Sequence, residues 1–247
     1  MRIKAIACEV LFREVCHCAA RAKTIIDLTF VRRGLHSNPD DLRDALQALV
    51  AATDPAQDEA IAFGYGLCSN GLAGLRAGAI PLVIPRAHDC ITLLLGSKEK
   101  YARVFSDRPG TYYYSGGWIE RGADTVPRRP EDGAGLDATF AELVEKYGRD
   151  NAEYLWELNA SWVKNYTHAI HIDTALGRLE AYRAYTEEKA AEHGWEYGEL
   201  AGDLSLIQAL LDGDWDEERF LVVPPGQEVT QVVGPEIITS RPLDPRP

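Results

Sequence analysis

The chain has 247 residues, of which 46% are hydrophobic, and this is enough to bury a large core in one domain or in two fused α/β halves. Acidic residues outnumber basic ones by 38 to 26, and the resulting net charge of −12 argues against nucleic acid as a partner. No apolar run reaches the roughly 18 residues that a membrane helix needs, so no membrane partner is expected.

The amino terminus does not have the pattern of an export signal. Only residues 5–7 separate Lys4 from Cys8, whereas a secretory signal needs an apolar stretch of roughly 7 to 15 residues. Five cysteines form an odd number, and without an export signal they are typical of free or metal-bound thiols. The sequence therefore predicts a cytoplasmic protein without a disulfide scaffold.

Strand and helix patterns alternate along residues 1–123, the predicted amino-terminal half. Strands are predicted at 3–8, 24–31, 60–65 and 80–85 and from about 111, with helices at 13–21, from 39, after Cys68, and at 91–105. Each of the strands 60–65 and 80–85 ends in a small polar loop that contains a cysteine. This order is typical of consecutive strand, loop and helix units around a parallel sheet.

The second half, residues 136–240, shows the same alternation after an exposed connector at 124–135. Two helices are predicted within 136–164, strands at 167–172, 195–200 and 220–223, and helices at 177–193 and 204–211; residues 241–247 are expected to fray. The predicted fold is α/β, with two Rossmann-like three-layer halves and mainly parallel sheets. Its site is expected at the carboxyl ends of the strands and in the cleft between the halves.

Three cysteines lie at predicted strand ends. Cys8 ends the first strand, and Cys68 and Cys90 lie in the loops after the strands 60–65 and 80–85. Because the carboxyl ends of parallel strands meet at one edge of a sheet, we expect the three thiols to converge. Glycines on both sides of Cys68 favour a tight turn, and a helix after it would lower the pKa of its thiol.

His88 is the candidate for a fourth ligand. It lies two residues before Cys90, and residues i and i+2 of an extended backbone point to the same side. By contrast, Cys16 and Cys18 project about 200° apart on a helix and cannot hold one ion. Cys16 is expected to be a buried apolar residue and Cys18 to be incidental.

These residues suggest two kinds of metal centre. With His88, the cysteines form a Cys3His set that suits tetrahedral zinc. Without it, three thiolates suit a [4Fe–4S] cluster with one iron open to substrate, which would make the protein a lyase, a transferase or a redox enzyme acting on a small molecule.

Two other functions use the same residues. The turn 66–71 resembles a nucleophile turn, so Cys68 could attack a substrate without a metal, with His36, His88 or His168 as the base. Alternatively, the protein is a non-catalytic accessory or cofactor-binding protein. The catalytic candidates are His88, Asp89 and Arg86, and the substrate-binding candidates are Tyr65, Asn70, Thr111, Tyr166 and His168.

Five short segments together resemble the domain of unknown function 1638 family of bacteria and archaea: ACEVL at 7–11, GYGLC at 64–68, RAHDCI at 86–91, PGTY at 109–112 and FLVVPPG at 220–226. The resemblance extends from about Lys4 to about Gly226. It marks Cys8, Cys68 and Cys90 as typical family cysteines, which slightly favours the cluster over zinc.

The resemblance also implies a link to corrinoid-dependent methyltransferase proteins and one-carbon metabolism. The chain departs from the family pattern at two positions. Ser69 stands where members usually have a glycine, and Asp89 lies between His88 and Cys90, which are adjacent in many members.

Overall fold

The computed structural model describes residues 1–68, 70–121, 144–145, 148–153 and 165–243. Its ten strands in these ranges are β1 (Arg2–Cys8), β2 (Ile25–Val31), β3 (Ala60–Gly64), β4 (Leu82–Pro85), β5 (Thr111–Ser115), β6 (His168–Asp173), β7 (Glu196–Ala201), β8 (Phe220–Val223), β9 (Gln227–Gln231) and β10 (Ile238–Pro242). The helices with assigned bounds are α1 (Phe12–Ala19), α2 (Pro39–Ala52), α3 (Cys90–Leu95), α4 (Lys98–Asp107), α5 (Gly116–Glu120), α6 (Leu179–His193) and α7 (Ser205–Asp212).

The larger sheet has five strands in the order β2-β1-β3-β4-β8. The first four are parallel, and β8 joins the edge of β4 in the antiparallel direction. All residues of β3 and β4 are buried, as the continuous apolar sequences of central parallel strands require. The predicted α/β fold with mainly parallel sheets is therefore confirmed.

The strand order fixes where the sheet opens a crevice. The chain moves from β1 to β2 in one direction and from β2 past β1 to β3 in the other. Right-handed crossovers in opposite directions place α1 and α2 on opposite faces of the sheet. The crevice therefore opens between the carboxyl ends of β1 and β3, the topological switch point at which doubly wound sheets bind ligands.

A second, smaller sheet contains β5, β6 and β7, all parallel. Its strands do not follow the predicted division of the chain at 124–135. β5 belongs to the predicted first half but pairs with β6, and β8 belongs to the predicted second half but pairs with β4. The chain thus crosses between the two sheets twice. The short hairpin of β9 and β10 follows β8.

Two helix predictions around the cysteine loops are wrong. The predicted helix 91–105 is two helices, because Gly96 adopts a left-handed φ of +81° and Ser97 caps a new helix through its side chain. The described residues between β3 and β4 contain turns and no helix. Cys68 therefore has no helix dipole to lower the pKa of its thiol.

The two cysteines of α1 also differ from the prediction. Cys18 is the buried one, with 1% of its surface exposed, and it packs near Leu204 at the start of α7. Cys16 is only half-buried. The connector 124–135, most of the predicted helices in 136–164 and the final residues 244–247 lie outside the described residues. Among the described residues, every helix is too short or too polar to span a membrane.

Candidate functional site

The candidate site begins where β1 and β3 end side by side. Ala7 of β1 pairs with Gly64 of β3, so that Cys8 and Tyr65 are the next residues along the two strands. A side chain at Gly64 would meet the Ala7 side chain at 2.6 Å, and glycine therefore permits this close approach. The first cysteine thus lies at the switch point of the sheet.

The loops after β3 and β4 are joined by backbone hydrogen bonds. The N–H of Leu67 donates to the carbonyl of Ala87 at 2.8 Å, and that of Cys68 donates to the carbonyl of His88 at 2.9 Å. A Cβ at Gly66 would lie 2.5 Å from the backbone nitrogen of Asp89, so the two loops leave no room for a side chain there. This contact brings the Cys68 and Cys90 loops together.

The three predicted thiols are near enough to influence one another. Burial raises the pKa of Cys8 to about 11 and is also the largest cause of the raised pKa values of Cys68 and Cys90. Charge on Cys8 raises the pKa of Cys68 further, and charge on either thiol raises the pKa of Cys90. The structure therefore brings the three cysteines together in one electrostatically coupled group, in which Cys8 and Cys68 are buried and Cys90 is half-buried.

Backbone and tyrosine donors surround the sulfur atoms. The backbone N–H of Val10 lowers the pKa of the Cys8 thiol, and that of Gly66 lowers the pKa of the Cys68 thiol, each against the larger effect of burial. The Tyr65 hydroxyl lies beside Cys8 and also lowers the pKa of its thiol. Tyr65 is 1% exposed, so it contacts a thiol rather than an open substrate pocket.

His88 does not accompany the thiols. It is exposed and lines a largely apolar pocket of about 510 Å³ together with Lys98, Tyr101 and Phe105. The expectation that His88 and Cys90 face the same way assumed an extended chain, but helix α3 begins at Cys90. Among the residues that the structure describes, no group of three or more His, Cys, Asp or Glu side chains is arranged to hold a metal ion.

Asp89 holds the start of α3 in place. One carboxylate oxygen accepts the N–H groups of Ile91 and Thr92 at 3.0 and 3.3 Å, and the other accepts the Tyr101 hydroxyl at 3.2 Å. Burial raises the pKa of Asp89, and these donors act against that rise. Its first role is to cap the helix that carries Cys90, and its second is to fix Tyr101 of α4 beside the site.

Three other predicted site residues, Arg86, Asn70 and His168, lie away from the thiols. Arg86, a catalytic candidate, donates to the carbonyls of Glu217, Glu236 and Ile238 and so attaches the carboxyl-terminal segments to the end of β4. Asn70 is exposed in a turn with a left-handed φ of 69°.

His168 lies at the start of β6, where its ring contacts Thr167 at 2.8 Å and Glu196 at 3.5 Å. It is not part of the thiol group or of the cleft described below. The side chain of His36, the remaining candidate base, lies outside the described residues.

Thr111 and Tyr166 line a cleft of about 470 Å³ between the two sheets. Asp89 and Ile91 from the Cys90 loop also line it, and Tyr113 and Trp118 contribute from β5 and α5. The cleft therefore adjoins the loop of the third cysteine. The site was predicted at the carboxyl ends of the strands and in the cleft between the halves 1–123 and 136–240; this cleft lies instead between the two sheets, which do not coincide with those halves, and it adjoins the loop after β4.

Sequence reasoning missed Trp118 and Arg33, which connect the cleft with the thiols. The Arg33 guanidinium lies 4.7 Å from the centre of the Trp118 ring, and its charge lowers the pKa of Cys8. The Arg33 N–H donates to Glu9, directly after Cys8, at 2.8 Å. The only sequence signal was indirect: Arg33 follows a strand next to β1, and Trp118 follows the tyrosine-rich β5.

The family model described as "Protein of unknown function (DUF1638)" matches residues 30–211, which is most of the chain. The chain therefore belongs to the DUF1638 family, as the resemblance indicated. The match includes Cys68 and Cys90 but begins after Cys8, and it ends before β8. No curated protein and no solved structure matches the chain.

Proposed function

We propose that the protein is an enzyme that acts on a small molecule at a metal centre held by Cys8, Cys68 and Cys90, and that this centre is a [4Fe–4S] cluster with one iron free of protein thiolate. The observation that carries the proposal is the convergence of three thiols, those of buried Cys8 and Cys68 and of half-buried Cys90, at the end of β1 and in the loops after β3 and β4, beside the switch point of the sheet.

The charge balance of the thiols supports a metal. Each neighbouring thiolate raises the pKa of the next, so three ionised thiols at this place need positive charge. Iron or zinc supplies it, because a coordinated thiol loses its proton. The backbone N–H groups that lower the pKa values of Cys8 and Cys68 also support a metal, because N–H groups near sulfur are a usual means of tuning cluster cysteines.

Three thiols without a fourth protein donor suit a cluster with one open iron better than one zinc ion. Tetrahedral zinc requires its sulfur ligands to approach to about 3.8 Å, as Zn–S bonds of about 2.3 Å dictate. Thiolates on different irons of a cluster lie farther apart. The described residues contain no donor set for a single ion, and exposed His88 faces a different pocket, so the Cys3His alternative lacks its fourth ligand.

A metal-free nucleophile has less support. Cysteine nucleophiles require a lowered pKa or an adjacent base, whereas burial raises the pKa of Cys68. The predicted helix after Cys68 is absent from the described residues, and exposed His88 lies on another pocket. Corrinoid-dependent methyl transfer remains the metabolic setting that the family resemblance suggests, and the reaction would be a lyase, transferase or redox step.

The test is anaerobic purification followed by measurement of iron, acid-labile sulfide, zinc and the visible spectrum. We expect about four irons per chain and a brown protein. Cys8→Ser, Cys68→Ser and Cys90→Ser should each lose most of the iron, whereas Cys16→Ser, at a half-buried position of α1, should retain it. His88→Ala should also retain iron.

Three results would contradict this proposal. Colourless protein with one zinc per chain that is lost in His88→Ala would establish the Cys3His site instead. Protein without iron or zinc after anaerobic reconstitution would exclude a metal centre. Stoichiometric alkylation of Cys68 in that metal-free protein, with Cys8 and Cys90 unreactive, would establish the nucleophile.

A further inference from the structure

The cleft between the sheets has aromatic walls. Tyr101 and Phe105 of α4 form one side, Tyr113 of β5 and Trp118 of α5 form another, and Tyr166 lies at the entrance to β6. Tyr101 and Tyr113 meet edge to face, with their ring centres 5.9 Å apart. Several ring systems from separate elements thus surround one space of about 470 Å³, which suits a small molecule.

One negative charge accompanies these rings. Of the described residues that line the cleft, Asp89 alone has a charged side chain. Its carboxylate cannot swing away, because Ile91, Thr92 and Tyr101 donate hydrogen bonds to it from fixed positions. The faces of aromatic rings attract cations, and a nearby carboxylate adds to that attraction.

The net charge of the protein also favours a positively charged ligand. The Arg33 guanidinium already occupies the Trp118 ring, 4.7 Å from its centre, so a ligand cation would lie against the other rings of the cleft, nearer to Asp89. The net charge of −12 also raises the local concentration of cations around the protein. An anionic ligand would have to overcome both Asp89 and the overall charge.

We propose that this cleft binds a small organic cation of the substituted-ammonium class, with its charged head among the aromatic rings and opposite Asp89. This inference rests on the proposed function, because the cation would be the substrate of that enzyme, bound next to the Cys90 loop. The binding itself does not depend on metal, so it can be measured separately.

Calorimetric titration with tetramethylammonium and choline tests the proposal, and 3,3-dimethyl-1-butanol serves as the neutral probe of choline's shape. We expect both cations to bind at least about tenfold more tightly than the neutral probe. Asp89→Asn keeps a side chain that caps α3 and should weaken cation binding about tenfold. Tyr113→Leu should weaken it without affecting the cap.

Asp107→Asn is the matched control, because it removes one exposed carboxylate of α4 that does not line the cleft. It should bind the cations as the unaltered protein does. Equal affinity for choline and the neutral probe, equal weakening by Asp107→Asn, or no cation binding would overturn the inference.

Iron content measured in the same samples separates the two proposals. Full iron without cation binding would refute only the cleft ligand. Cation binding in a protein that never takes up iron would refute only the metal centre.

Discussion

Gly66→Ala tests whether the contact between the two cysteine loops is as close as the structure requires. The added Cβ would lie 2.5 Å from the nitrogen of Asp89, 2.8 Å from its Cα and 2.9 Å from the carbonyl oxygen of Ala87. All three are backbone atoms, which cannot rotate away. Against an ordinary contact of 3.4 Å, the distance of 2.5 Å requires a shift of about 0.9 Å.

The cost follows from what that shift would disturb. Overpacking a tight site costs about 1–3 kcal/mol, and the backbone hydrogen bonds of Leu67 and Cys68 to the opposite loop add about 1 kcal/mol each if they break. We expect Gly66→Ala to lower the free energy of unfolding by about 2–3 kcal/mol. It should also lower the iron content, because Cys68 and Cys90 flank the contact.

Urea denaturation of the metal-free protein measures the first effect, and iron analysis measures the second. Gly34→Ala is the matched control, since no atom of the described residues lies within 4 Å of the position of its Cβ and its φ is not positive. That substitution should be neutral or stabilising by about 0.4–1 kcal/mol. If the two variants unfold within about 0.5 kcal/mol of each other, the close approach of the loops is not real.

Three further predictions concern residues outside the thiol group. Arg86→Ala should lose at least about 2 kcal/mol in urea denaturation, because three carbonyls lose a charged donor, but it should retain its iron; loss of iron with unchanged stability would instead favour the catalytic role. The pKa of Glu120 is lowered, chiefly by hydrogen bonds from Arg13, so this pair stabilises the protein above pH 4.5 and its contribution disappears as the pH falls through the folded-state pKa. Thermal melts of Glu120→Gln and the unaltered protein should therefore differ near neutral pH and converge in acid, and a constant difference would contradict this. Burial lowers the pKa of His171, so the unfolded chain binds more protons than the folded protein below pH 6.5, and the protein should lose stability as the pH is lowered through this range. His171→Phe should remove that part of the pH dependence. An unchanged slope of stability against pH in this variant would refute the prediction.

The position of the thiols could be predicted because it depends on local pattern alone. Runs of apolar residues identify β1, β3 and β4, and a cysteine follows each run within a few residues. Parallel strands end at a common edge, so Cys8, Cys68 and Cys90 had to lie near one another once the sheet was assumed. The groups that surround these thiols could not be predicted from the sequence, because they depend on the geometry of the loops.

His88 shows where the local argument fails. Its spacing from Cys90 would place both on one side of a continuous strand, but Asp89 caps a helix that begins at Cys90, so strand geometry does not continue through the cysteine. An aspartate followed by an apolar run is itself an N-cap signal, so the sequence contained the information. The same residues matched both a metal-ligand pattern, His88 with Cys90, and a helix-cap pattern at Asp89, and the structure has the helix cap.

The division into halves shows a second limit. Alternating strands and helices predict parallel sheets, but they do not say which sheet each strand joins. β5, from the predicted first half, pairs with β6 of the second, and β8, from the predicted second half, pairs with β4 of the first. That choice is made by long-range packing, and a single sequence without detectable internal repetition carries no periodic signal for it.

This crossing of the chain is what gives the proposed centre a substrate cleft. Because β5 leaves the first sheet, α5 after it packs against the turn that follows Cys8, and Gly117 lies so close to the Val10 carbonyl that a side chain could not fit. Trp118 is thereby held next to Arg33, on the side of the thiols, while Tyr113 faces Tyr101. The cysteines come from one sheet and much of the aromatic wall comes from the elements that begin the other. A site of this kind requires both sheets, so neither half of the chain would form it alone.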